Sequence, residues 1–110
     1  YPPYNIRKVS DDQYTIELAV AGFEEKDIEI EAEEENLTIK GKRPSEASEG
    51  LVHQGLATRD FVRKFILSDN MVIKGAALTN GMLYVGLERE IPDHKKPRKI
   101  EFTSKSKILN

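Results

Sequence analysis

Apolar and polar residues alternate along much of the chain, and alternation at period two marks strands with one buried face. In YTIELAV, Tyr14, Ile16, Leu18 and Val20 share one face, with Thr15 and Glu17 on the other. IEIEA repeats the pattern, setting Ile28, Ile30 and Ala32 against Glu29 and Glu31. Leu37 and Ile39 mark a strand in NLTIKG, and Leu83, Val85 and Leu87 mark one in LYVGLER. YNIRKV makes a weaker first strand. FVRKFIL is denser: Phe61, Phe65 and Leu67 face one way and Val62 and Ile66 the other, which predicts cover on both faces. Polar turns at Asp11-Asp12, Glu34–Asn36, Asp69-Asn70 and Asn80-Gly81 separate the runs. Asn80-Gly81, between MVIKGAALT and MLYVGLE, is the strongest short hairpin signal. No apolar stripe of useful length has helical spacing, and FEEKDI is predicted to make one turn. Seven or eight short antiparallel strands predict an all-β protein, a β-sandwich.

Two segments break the alternation. Residues 41–60, GKRPSEASEGLVHQGLATRD, form a connection too long for a plain loop in a compact domain. Its first half is polar, whereas Leu51, Val52 and Leu56 in its second half ask for burial. They either fold back on their own sandwich or form an arm that pairs with another subunit. The last residues, HKKPRKIEFTSKSKILN, are basic, yet Ile100 and Phe102 sit one residue apart among the lysines. They either end the domain's last strand or are a ligand for something else. Pro97 and the polar run IPDHKKP separate them from LYVGLE, which favours the second.

The chain has 110 residues, enough for one domain with one core. Its formal net charge is −2, so basic residues do not dominate and no nucleic-acid partner is expected. The absence of cysteine removes disulfide and thiol chemistry and fits a reducing compartment. No apolar run reaches the roughly 18 residues of a membrane helix, so no membrane partner is expected. His53 and His94 stand apart without ligand spacing, which gives no metal site. Glu29, Glu31, Glu33 and Glu35 alternate along a strand and its turn as solvated edge charge, not as a glycosidase pair. Gly41, Gly50 and Gly55 make no phosphate loop. With no Trp, sugar stacking is disfavoured too. No enzyme activity and no cofactor are predicted; the chain reads as a binding module.

AALTNGMLYV matches the A-x-x-x-N-G-x-L signature of the α-crystallin domain through Ala76, Asn80, Gly81 and Leu83. FVRKFIL resembles that family's arginine-bearing strand, with Arg63 in the arginine's place. YNI, AVAGFEEKDIEI and LTIKGKR fall in the family's order, and LVHQGLATRDF is similar to the bacterial inclusion-body-associated small heat shock proteins. The resemblance runs from about Tyr4 to Phe102. It implies an immunoglobulin-like sandwich over residues 1–92, with a strand-swapping loop at about 41–60 and a C-terminal extension over 93–110. It also implies a cytoplasmic, ATP-independent chaperone that binds unfolding clients, forms homo-oligomers and passes clients to ATP-driven refolding chaperones. A monomeric co-chaperone of the p23/CS type is the competing expectation within this fold.

Site residues follow from the same resemblance. Leu51, Val52, His53, Gln54 and Leu56 carry the strand that swaps into the dimer partner. Ile100, Glu101 and Phe102 stand at the family's I-x-I/V tail motif, with Phe in the second apolar place. The groove that receives a neighbour's tail aligns with Ile28, Ile30 and Ala32 on one edge and Ile73, Gly75 and Ala77 on the other. Arg63 shares a strand face with Phe61 and Phe65, an awkward place for an unpartnered charge. It either snorkels to the surface or finds its partner at the dimer interface.

Overall fold

The computed structural model describes residues 1–56 and 58–109; Ala57 and Asn110, which fall in the expected arm and tail, lie outside them. Seven strands form among the described residues: β1 (Tyr4–Lys8), β2 (Gln13–Ala19), β3 (Ile28–Glu33), β4 (Asn36–Gly41), β5 (Phe61–Ile66), β6 (Met71–Thr79) and β7 (Met82–Arg89). FEEKDI supplies a single 3-10 turn at Glu25–Asp27. The strands make a four-stranded sheet in the order β1-β2-β7-β6 and a three-stranded sheet in the order β3-β4-β5. All pairings are antiparallel. The β6–β7 hairpin turns on Asn80 (φ 50°) and Gly81 (φ 77°), the left-handed geometry that Asn-Gly favours. Between β3 and β4, Glu34 takes a positive φ of 54°.

The core lies between the sheets. Ile16, Leu18, Val85 and Leu87 close it from one layer, and Leu37, Ile39 and Phe61 from the other; all are buried. Each such side chain contributes about 1.5–3 kcal/mol by leaving water. Gly41 is fixed by close packing: a Cβ there would lie 2.2 Å from the Phe61 ring.

Three features depart from the alternation pattern. First, only the inner face of β5 is covered: Val62 and Ile66 on its outer face are 57% and 83% exposed. Second, Glu17, on the expected solvent face of β2, is buried. Register places it between Asn5 on β1 and Tyr84 on β7, and Arg7 binds it through both carboxylate oxygens at 3.0 and 3.3 Å. Third, β6 carries a bulge. Ile73 faces Leu87 and Gly75 faces Gly86, so Lys74 is an extra residue. The inward set is therefore Ile73, Ala76 and Leu78, which lie opposite the buried Leu87, Val85 and Leu83.

The radius of gyration is 21.4 Å, against about 13 Å for a compact chain of this length. The excess comes from segments that leave the sandwich, and the long axis reaches 82 Å.

Candidate functional site

Each sheet has two edge strands, so the sandwich has two open sides. On one side β3 meets β6; on the other β1 meets β5. The first side holds a groove of about 220 Å³ lined by Ile28 and Ile30 from β3, Ala76, Ala77 and Leu78 from β6, Leu83 behind them, and Glu25 at its end. Ile28 and Ile30 turn inward because they pair with Gly41 and Ile39, whose side of β4 faces the core. Alanines at 76 and 77 leave the space that larger side chains would fill. Of the groove residues expected from sequence, Ile28, Ile30 and Ala77 line this cavity, whereas Ala32, Ile73 and Gly75 do not. The bulge at Lys74 shifts the β6 face by one residue and brings in Ala76 and Leu78, which the alternation rule missed. A Lys-Gly step inside an apolar strand was the available signal.

Glu29 and Glu31 are exposed on the outer face of β3. Lys74 on β6 lies 3.3 Å from Glu90 and 3.7 Å from Glu88. The hydrogen bond to Glu90, reinforced by both carboxylate charges, raises its pKa above the ordinary lysine value.

The second side is aromatic, and the chain's own N-terminal residues partly cover it. Tyr1 packs edge-on to Phe61 at 6.0 Å, and Tyr4 edge-on to Phe65 at 5.2 Å. The guanidinium of Arg59 stands 4.5 Å from the Tyr1 ring, and that of Arg63 stands 4.4 Å from the Tyr4 ring. Pro2 is fully buried beneath them. Sequence reasoning did not find this YPPY cover, because a Tyr-Pro-Pro-Tyr run has no periodicity to read. Arg63 is half-buried, and among the described residues its Nε has no hydrogen-bond partner. Beyond Tyr4 an apolar cavity of about 320 Å³ stays open between Ile6, Phe65, Leu67 and Met71.

The two irregular segments leave the sandwich. The loop Lys42–Asp60 is tied at its base by the Gly41–Phe61 pairing and by the Arg43 amide, which donates to Asp60 Oδ1 at 2.6 Å. Leu51, Val52 and Leu56 are 49%, 103% and 69% exposed, so they do not fold back onto their own core. Residues 51–56 form no strand here, His53 is exposed, and Gln54 Nε2 donates to the Leu56 carbonyl at 3.2 Å. In the tail, Ile100 and Phe102 are 72% and 107% exposed and extend no strand of their own sheet. A single helical turn follows at Lys105–Ile108.

The profile described as "Hsp20/alpha crystallin family" matches residues 6–103. The chain belongs to this family. The small heat shock protein IbpA of Escherichia coli is 49% identical over 102 residues, covering 92% of this chain and 74% of IbpA. A small heat shock protein from Synechococcus phage S-ShM2 superposes with a TM-score of 0.69 at 37% identity, over 93% of this chain and 99% of its own. A small heat shock protein from Xylella fastidiosa superposes with a TM-score of 0.76, over 94% of this chain and 97% of its own; at 22% identity it speaks for the fold alone. Membership makes this small heat shock protein a chaperone, and its relatives are chaperones rather than enzymes. Among the described residues no helix is long and apolar enough to cross a membrane.

Proposed function

We propose that this small heat shock protein is an ATP-independent holdase. It binds partly unfolded clients in the cytoplasm, limits their aggregation and leaves refolding to ATP-driven chaperones. Its dimers exchange the Leu51–Leu56 arm, and larger assemblies form when Ile100 and Phe102 of one chain enter the β3–β6 groove of another. One observation carries this reading: an apolar pair lies exposed in the tail while an apolar groove lies open between two unpaired edges. An extended segment added to such an edge gains main-chain hydrogen bonds, and its alternate side chains fill pockets.

The magnitudes suit a reversible contact. Burying two large apolar side chains is worth about 3–6 kcal/mol, and ordering a flexible tail offsets much of that. One docked tail is weak; several in one assembly hold by avidity. The exposed arm and tail also favour this reading over a monomeric p23/CS-type module, which has use for neither. The half-buried Arg63, whose Nε lacks an acceptor, obtains one from the dimer partner.

The test is the mass of the assembly, by sedimentation at several concentrations, with and without residues 98–110. Removing them is expected to reduce larger assemblies to dimers. An unchanged mass sinks the tail-in-groove contact, and a strict monomer in both cases sinks the dimer.

A further inference from the structure

We propose that the apolar cavity on the β1–β5 side is a binding site for a small anionic amphiphile: it takes the chain of one free fatty acid, whose carboxylate is held by Arg89. None of the residues that line this cavity belongs to the β3–β6 groove, the loop or the tail.

The cavity exists because the sandwich interior is left unfilled at this end. Residues directly opposite in an antiparallel pair project to the same side of the sheet. Ile6 lies opposite Ile16, and Tyr14 opposite Leu87, so all four face the interior. Yet Ile16 is 1% exposed and Ile6 is 59% exposed. Phe65 and Leu67 line the same space from the other layer, and both are only half-buried. Met71, at the start of β6, is half-buried there too. Apolar side chains turned inward and left wet forgo the free energy of burial, which an aliphatic chain entering the cavity would restore. The volume of about 320 Å³ stands at the low end of the range of small-molecule sites, about 300–1,000 Å³, and admits one such chain.

Charge decides the head group. Leu83, Val85 and Leu87 alternate inward along β7, and Arg89 comes next in that series, opposite Met71. It is the one charged residue that lines the cavity, and it enters no ion pair among the described residues. Asp12, Glu90 and Asp93 share a neighbouring hollow with it. Glu90 is taken by Lys74 at 3.3 Å and Asp93 by Lys96 at 3.2 Å, while Asp12 offers its main-chain carbonyl to the Arg89 amide at 2.8 Å. The exposed guanidinium is thus left with its planar fork of donors, which matches a carboxylate bidentately. Exposed Ser68 adds a hydroxyl to the lining. An apolar slot ended by one uncommitted cation is complementary to a fatty-acid anion: the chain displaces water from the slot, and the head keeps its charge in solvent beside Arg89. A neutral alcohol forgoes the charge-assisted bonds, and a cationic amphiphile meets like charge.

The chain holds two methionines, which serve as internal reporters. Met71 lines the cavity, whereas Met82 begins β7 at the strand's other end, opposite Ala19 and Thr79. The test uses the full chain with isotope-labelled methionine methyls, assigned through Met82→Leu and followed by NMR. Decanoate, decanol and decyltrimethylammonium are titrated below their micelle concentrations. Decanoate is expected to shift the Met71 methyl saturably and to leave Met82 unmoved. The alcohol and the cation should bind about tenfold more weakly or worse. Arg89→Gln, at an exposed position, should remove the preference for decanoate over decanol. Ile6→Trp, which fills the mouth from the edge strand, should abolish the Met71 response while leaving Arg89 in place. No saturable shift of Met71 sinks the site, as happens if a partner chain covers it in the assembly. Equal movement of both methionines reduces the effect to general coating by amphiphile and overturns the proposal. Equal affinity for decanoate and decanol, or a preference that survives Arg89→Gln, overturns the role of Arg89.

Discussion

The two open sides of the sandwich face the same problem with different residues. Each must deal with two edge strands whose backbone groups lack neighbours. At β1–β5 the chain lays Tyr1, Pro2 and Tyr4 over Phe61, Arg63 and Phe65, joining them by edge-on aromatic and cation–π contacts. At β3–β6 it leaves alanines around an open groove, with Glu25 at its end. The rings cover only part of the β1–β5 side, since about 320 Å³ stays open between Ile6, Phe65, Leu67 and Met71. A side kept open by small residues is suited to a visitor. The same edge can thus be closed or offered, and the difference lies in side-chain volume rather than in topology.

The largest effect on this contrast should come from Gly41→Ala, which attacks the closed side from within. The new Cβ would stand 2.2 Å from the Phe61 ring, which also carries Tyr1 and Phe23. Overpacking of this kind costs about 1–3 kcal/mol. The measurable result is a lower denaturant midpoint with an unchanged slope, together with greater exposure of Tyr1 to quenchers. A variant as stable as the parent would mean that Phe61 moves aside freely and that the closed side is not packed as described.

The contrast was only partly legible in the sequence. Alternation located the strands, and Asn80-Gly81 located the hairpin, because burial on one face and left-handed turn geometry impose local rules. Ile28 and Ile30 were correctly oriented for the same reason. Counting by two along β6 passed over Ala76 and Leu78, which line the groove, because the Lys74 bulge adds a residue and period-two counting cannot see an insertion. The outer face of β5 was expected to be covered, yet Val62 and Ile66 lie exposed; apolarity states a demand for burial but not which layer meets it. Closure by Tyr1 and Tyr4 depends on contacts between residues about sixty positions apart, which no local pattern encodes.

Arg63→Ala should act mainly between chains. Within one chain the substitution removes the contact with the Tyr4 ring at 4.4 Å and a longer one with Phe65 at 5.9 Å, worth about 0.5–1 kcal/mol each. It also removes a buried donor without a partner, which costs about 1–3 kcal/mol while it remains unmet. These opposing effects leave the folded chain within about 1 kcal/mol of the parent. If the dimer partner supplies the acceptor, dimer dissociation should rise about tenfold, for about 1.4 kcal/mol lost. Unchanged dimer affinity, measured by sedimentation, would count against an interfacial Arg63.

The smallest effect concerns what holds β1, and with it the aromatic cover, to the sheet. Arg7 on β1 grips Glu17 on β2 through both carboxylate oxygens, with the Glu17 side chain 11% exposed. The hydrogen bond from Arg7 lowers the Glu17 pKa, outweighing burial, which pushes it up. A carboxyl whose folded-state pKa lies below its unfolded value stabilises the fold above about pH 4.3, and that contribution is lost as pH falls through the folded value. Arg7→Met strands Glu17 without its cation, so at about pH 7 the variant should have a lower denaturant midpoint than the parent. As the pH falls from there through the folded-state pKa of Glu17, the carboxyl becomes neutral in both proteins, and the two midpoints should converge. A difference that stays constant over that range would assign the role of Arg7 to its aliphatic stem covering the sheet, not to its charge.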